Sequence, residues 1–117
     1  MHQNLAALMQ RDPQLDFLVH LLELAKRYVD PERVILFGSR ARGDAKRVSD
    51  VDVAFAFNID KAAHWGSFCA EADDQMPTLL SMDLVNLAEA DPPLLTSIQR
   101  EGVLIYERAH HSSAEQS

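Results

Sequence analysis

The residues with the most chemistry in this chain lie between Gly38 and Phe57. They comprise a Gly38-Ser39 pair, the cations Arg40, Arg42, Lys46 and Arg47, Ser49, and two carboxylates, Asp50 and Asp52. Val34-Ile35-Leu36-Phe37 precedes them as a short apolar run ending at Gly, the pattern of a buried strand opening into a loop. Gly38 permits a sharp turn or a close approach of a ligand to the backbone. Ser39 is placed to cap the short helix that follows, whose free N–H groups and partial positive charge suit a phosphate. The four cations deepen that anion preference.

The second half of the stretch has the opposite charge. From Asp50 onward the chain alternates: Asp50, Asp52, Ala54 and Ala56 share one parity, and Val51, Val53, Phe55 and Phe57 the other. In a strand this puts both carboxylates on one face, roughly 7 Å apart, and sends the large apolar side chains into the core. Two such carboxylates suit a hard divalent cation, Mg²⁺ or Mn²⁺, that also takes oxygens from substrate phosphates. With 11 Asp in 117 residues, chance alone supplies about one Asp-x-Asp, so the bare pair also fits a solvated strand face. The context carries the argument: a strand, Gly-Ser, ten residues, Asp-x-Asp opening a second strand, and a further acid, Asp83, inside a third apolar run.

Gly38-Ser39, Ala41-Arg42-Gly43, Ser49-Asp50 and Asp52 resemble the signature of the DNA polymerase beta-like nucleotidyltransferases, in particular the minimal ones that act as antitoxins beside HEPN-domain toxins. The likeness spans about residues 34–106. It implies an α/β (α+β) nucleotidyltransferase fold, a mixed sheet of about four strands flanked by helices. It also implies ATP as donor, Asp50, Asp52 and Asp83 as metal-holding and catalytic residues, and transfer of AMP to a tyrosine hydroxyl of a partner HEPN toxin in a hetero-oligomer. On this pattern Gly38, Ser39, Arg40, Arg42, Lys46, Arg47 and Ser49 bind the nucleotide, and Asp83 takes the proton of the attacking hydroxyl. Three other readings stay open beside it: a binding-only antitoxin, a nucleotide sensor without turnover, and a small-molecule nucleotidyltransferase, which would need further surface to enclose its acceptor.

The elements that must position these residues can be read along the chain. Residues 1–11 suggest a short leading helix behind Asn4, with Leu5, Leu8 and Met9 on one side. Asp12 and Pro13 then open a helix whose apolar face is Leu15, Leu18, Val19, Leu22, Ala25 and Val29. His20 falls on its solvated face. After the second strand, Asn58 to Asp60 forms a turn and residues 61–74 a helix with Trp65, Phe68, Cys69 and Ala72 as a core stripe; an adenine pocket at Trp65 is the sharper alternative. Leu79 to Leu87 reads as the third strand. Asp91-Pro92-Pro93 starts a last helix that stops at Gly102, before a strand over Val103 to Glu107.

Length and composition bound what this frame can do. The 117 residues, 47% hydrophobic, predict one domain over residues 1–108 and a polar, disordered tail over 109–117. The absence of an 18-residue apolar run or a signal-peptide pattern predicts a cytoplasmic protein without a membrane span. The lone Cys69 excludes an intrachain disulfide and reads as a buried structural thiol. Between Gly38 and Asp52 four cations meet three Asp, a net of +1, so the rest carries −8 of the formal −7. A small basic site on an acidic body favours a nucleotide or a basic protein partner over direct nucleic-acid binding. The chain has neither a Walker-type Gly-Lys-Ser/Thr loop nor the Rossmann glycine spacing.

Overall fold

The computed structural model describes residues 1–109; the expected tail, including His110 and His111, lies outside the described residues apart from its first position. Four strands form one mixed sheet in the order β3-β2-β1-β4: β1 Arg33–Phe37, β2 Val51–Ala56, β3 Met82–Asn86 and β4 Val103–Glu107. β1 is antiparallel to both β2 and β4, whereas β2 and β3 run parallel. Helices α1 Gln3–Arg11, α2 Leu18–Tyr28, α3 Ser39–Arg42, α4 Trp65–Gln75 and α5 Pro92–Glu101 flank it. This is the mixed, helix-flanked sheet that the sequence predicts.

The alternation along the strands divides the core in two. Val34, Leu36, Val51, Val53, Phe55 and Ile105 face one way and pack with α1, α2 and α4. Phe37 and Ala54 face the other way and pack with Ile98 of α5. Each large side chain removed from water contributes roughly 1.5–3 kcal/mol, so the first and larger layer carries most of the stability. Trp65 belongs to that layer: it stacks on Phe57 with centroids 5.4 Å apart and meets Phe55 edge-on at 5.6 Å. Its ring is thus occupied by core packing, and the adenine alternative has no support in its placement. Burial pushes the Cys69 thiol up, away from nucleophilic use.

Local boundaries differ from the expectations where side chains found other partners. His2, not Asn4, caps α1: His2 Nδ1 accepts from Asn4 N–H at 3.0 Å, while the Asn4 amide donates to the Leu104 carbonyl of β4 at 3.0 Å. Asp12 and Pro13 open a 3-10 turn, Pro13–Phe17, and the α-helix proper starts at Leu18. The tighter turn brings Leu15 and Leu18 onto one face, and both are fully buried. The helix expected over 61–74 is likewise a 3-10 turn, Ile59–His64, followed by α4. The third strand is shorter than Leu79 to Leu87. Its ladder begins where β2 begins, with Val51 opposite Met82, and Leu79 is left in solvent. At its other end the Asn86 side chain caps a 3-10 turn, Leu87–Glu89. Among the described residues no helix is long and apolar enough to cross a membrane.

Candidate active site

The site lies where β1, β2 and β3 bring their ends together beside α3. Phe37, the last residue of β1, pairs with Asp52, and Asp52 pairs across the parallel ladder with Asp83. Neighbouring strands are about 4.8 Å apart, so these two carboxylates are adjacent on one sheet face. Asp50 lies just ahead of β2, two residues before Asp52, and is exposed, as is Asp83, while Asp52 is half-buried. Ala54, of the same parity as Asp52, packs beneath them toward α5. The face assignment made from alternation holds for Asp52 and Ala54 within β2, which starts after Asp50.

Gly38 is the close approach that the turn requires. Its backbone has φ +75° and ψ −159°, a conformation that L side chains rarely adopt. A Cβ there would lie 2.3 Å from Asp52 Oδ2. A side chain there would force the Asp52 carboxylate to move away from the start of α3. Gly38 is also the N-cap, where Ser39 was expected; Ser39 is the first helical residue, and its hydroxyl makes no capping bond. The first turn of any helix leaves its leading N–H groups without intrahelical partners, and here they stand next to the acidic cluster.

Electrostatically the cluster is under strain. The Asp52 carboxyl is pushed up from its ordinary 3.8 to about 6, first by burial, then by the Asp83 and Asp50 charges; Arg42 opposes the shift. Among the described residues no three acidic, His or Cys side chains converge closely enough to cage an ion by themselves. The donor set nonetheless fits a hard divalent cation: all-oxygen, anionic, mutually repelling, and open on the side where phosphate oxygens would complete the coordination.

The four cations have different placements. Arg42, on the rim, donates to Asp44 Oδ2 at 3.2 Å and to Glu101 Oε1 at 2.8 Å, both pairs half-exposed and exchangeable. Lys46 and Arg47 are exposed and have no carboxylate within ion-pair distance among the described residues. Arg40 is different. It is 2% exposed and pairs with Asp12 Oδ2 at 2.9 Å, so the expectation that it meets phosphate does not fit its placement. Ser49 is engaged within its own loop: its Oγ accepts from Lys46 N–H at 2.8 Å and its carbonyl accepts from Arg40. Asp12, Gln14 and Glu101 are the partners that reading along the chain missed. Asp12 reads locally as a helix cap, and its second role depends on an arginine 28 residues away.

The family model described as polymerase beta, nucleotidyltransferase, matches residues 20–111. Among curated protein sequences none matches this chain. A solved toxin-antitoxin structure with AMP-PNP contains a chain 25% identical to this one, covering 80% of this chain and 76% of that chain at a TM-score of 0.56. A minimal nucleotidyltransferase structure is 27% identical, covering 87% and 96%, at 0.50. A mutant of the toxin-antitoxin MntA-HpeT shares the fold at 21% identity, covering 82% and 76%, with a TM-score of 0.59.

Proposed function

Since the chain belongs to the polymerase beta nucleotidyltransferase family, we propose that it transfers AMP from ATP to a hydroxyl of a partner protein and acts in the cytoplasm as the antitoxin of that partner. The observation that carries the reading is the contact of the Asp52 carboxylate with Gly38, with Asp83 alongside it in the ladder. Two carboxylates beside the turn that opens α3 suit a cation bridging to phosphate, which supports the reading. The likeness to a toxin-antitoxin chain solved with AMP-PNP supports both the nucleotide and the partner. The acceptor that fits this reading is a tyrosine of a HEPN toxin.

The roles follow from position. Backbone N–H groups at Ser39 and the turn after Gly38 receive the β- and γ-phosphates, and Arg42 turns from Asp44 and Glu101 to offset their charge. Lys46 and Arg47 extend the positive field toward solvent. Asp50, Asp52 and Asp83 would hold Mg²⁺, or Mn²⁺, which when bound neutralises the carboxylate and phosphate charges and polarises the reacting phosphate. Asp83, exposed beside Asp52, accepts the proton of the attacking hydroxyl. The hydroxyl oxygen forms the new bond to the α-phosphorus, the bond to the β-phosphate oxygen breaks, and pyrophosphate leaves.

A contact-only antitoxin is the second reading, and the likeness to a chain solved in a toxin-antitoxin structure is compatible with it too. Incubation with α-labelled ATP, Mg²⁺ and the product of the neighbouring gene separates the two. Label on that protein, lost with Asp50→Asn/Asp52→Asn, is the expected result. Neutralisation of the partner without label, equal in the double variant, would leave the contact-only reading.

A further inference from the structure

Arg40 lies on α3, next but one to Gly38, yet its side chain leaves the phosphate side altogether. Nη1 donates to Asp12 Oδ2 at 2.9 Å and to Gln14 Oε1 at 3.1 Å. Nη2 donates to the carbonyls of Arg47 at 3.0 Å and Ser49 at 2.9 Å, and Nε reaches the same Ser49 carbonyl at 3.3 Å. One planar group therefore ties three segments: the helix that starts at the glycine turn, the 3-10 turn after α1, and the loop that enters β2. The loop residue it holds, Ser49, is bonded directly to Asp50. Arg11 adds a second tie by donating to the Arg40 carbonyl.

We propose that Arg40, charge-balanced by Asp12, is the positioning residue of this site: it sets the loop over residues 44–50, and with it Asp50 and Asp52, against the glycine turn. The inference rests on the transferase reading for its kinetic consequence only; the loop's dependence on Arg40 stands without it. Guanidinium chemistry is what the geometry needs. Its donors diverge in one plane toward acceptors on two sides, whereas a lysine ammonium presents three donors at a single point and cannot span them. Because Asp50 follows the clamped carbonyl directly, loosening the clamp displaces a carboxylate rather than a remote surface. A displacement of about 1 Å at reacting groups costs on the order of 10²-fold in rate.

The test compares wild type with Arg40→Lys and Asp12→Asn, each held well below its own melting temperature so that only folded protein is read. Asn at position 12 keeps an oxygen for the Gln14 N–H cap but removes the charge that faces Arg40. Hydrogen exchange of the amides over residues 44–50 should accelerate tenfold or more in both variants, with α2 and β4 unchanged. The Mg²⁺ concentration for half-maximal transfer should rise about tenfold, a change that mere loss of stability would not produce in folded molecules. Folded variants with wild-type loop exchange would overturn the proposal. If Arg40→Lys does not fold, Asp12→Asn alone decides by the same readout. Should the wild type transfer no AMP to any acceptor, the transferase reading fails, and the exchange data together with Mn²⁺·ATP calorimetry still judge Arg40.

Discussion

Asp52 concentrates the conflict between folding and function. Its carboxyl titrates near 6 in the folded chain against an ordinary 3.8, because burial and the Asp83 and Asp50 charges penalise its ionised form. An acid whose folded value is raised binds more protons folded than unfolded between those two values. Stability is therefore highest below about pH 4 as far as this group is concerned, falls as pH rises to about 6, and stays lowered above it. Allowing for partial solvent screening, the cost at pH 7.5 is about 1–2 kcal/mol. Asp52→Asn should melt several degrees above wild type at pH 7.5 without cations and lose that advantage at pH 4. Differential scanning calorimetry across this range checks it, and a pH-independent difference would mean that neither burial nor its neighbours raise the Asp52 carboxyl. Asp83 bears on rate rather than stability, being exposed. Asp83→Asn should lower single-turnover transfer by roughly 10²-fold or more, the range of a positioned base, with ATP binding retained; a rate within twofold of wild type would remove it from the mechanism.

At the level of elements, the junctions matter more than the strands they join. The β1–α3 turn works because Gly38 has no side chain; Gly38→Ala combines a positive φ with a Cβ 2.3 Å from Asp52 Oδ2. The variant should lose about 1–3 kcal/mol of stability and most Mg²⁺·ATP binding, read by denaturant titration and calorimetry. The α5–β4 junction uses glycine for another reason. Gly102 has an ordinary extended φ of −72°, but a Cβ there would lie 2.4 Å from the Ile98 carbonyl and 2.5 Å from Ile35 Cγ2. Gly102→Ala should thus push α5 off the smaller core layer and lower the melting temperature. Since α5 also presents Glu101 to Arg42, nucleotide affinity should change with it, whereas an unchanged melting temperature would show that the junction can relax.

Across the whole molecule, charge sets what can approach. A body carrying −8 outside a segment of +1 repels polyphosphates except at the basic site, where a cation held by the carboxylates would add to the attraction. ATP should bind measurably only with Mg²⁺ or Mn²⁺, and the Asp50→Asn/Asp52→Asn variant, lacking the carboxylates that hold the bridging cation, should fail to bind it even then. Equal affinities for wild type and double variant at saturating Mg²⁺ would contradict the metal assignment. Asp50 and Asp83 are exposed beside the strand ends, so among the described residues nothing covers them.

Much of this was legible along the chain because it depends on local periodicity. Strand alternation placed Asp50 and Asp52 opposite Val51, Val53 and Phe55, and Gly-Ser after an apolar run marked the turn. Composition pointed away from long nucleic acids and toward a small anionic ligand or a protein. Pairing is different in kind, because hydrogen bonds between strands join residues whose separation in sequence carries no signal. Only the parallel pairing of β3 with β2 brings Asp83 beside Asp52. Likewise, the motif arginine at position 40 looks like a phosphate ligand until folding surrounds it with Asp12, Gln14 and two loop carbonyls. A buried guanidinium must satisfy its donors where it lies, and that requirement, rather than its place in a motif, decided its role.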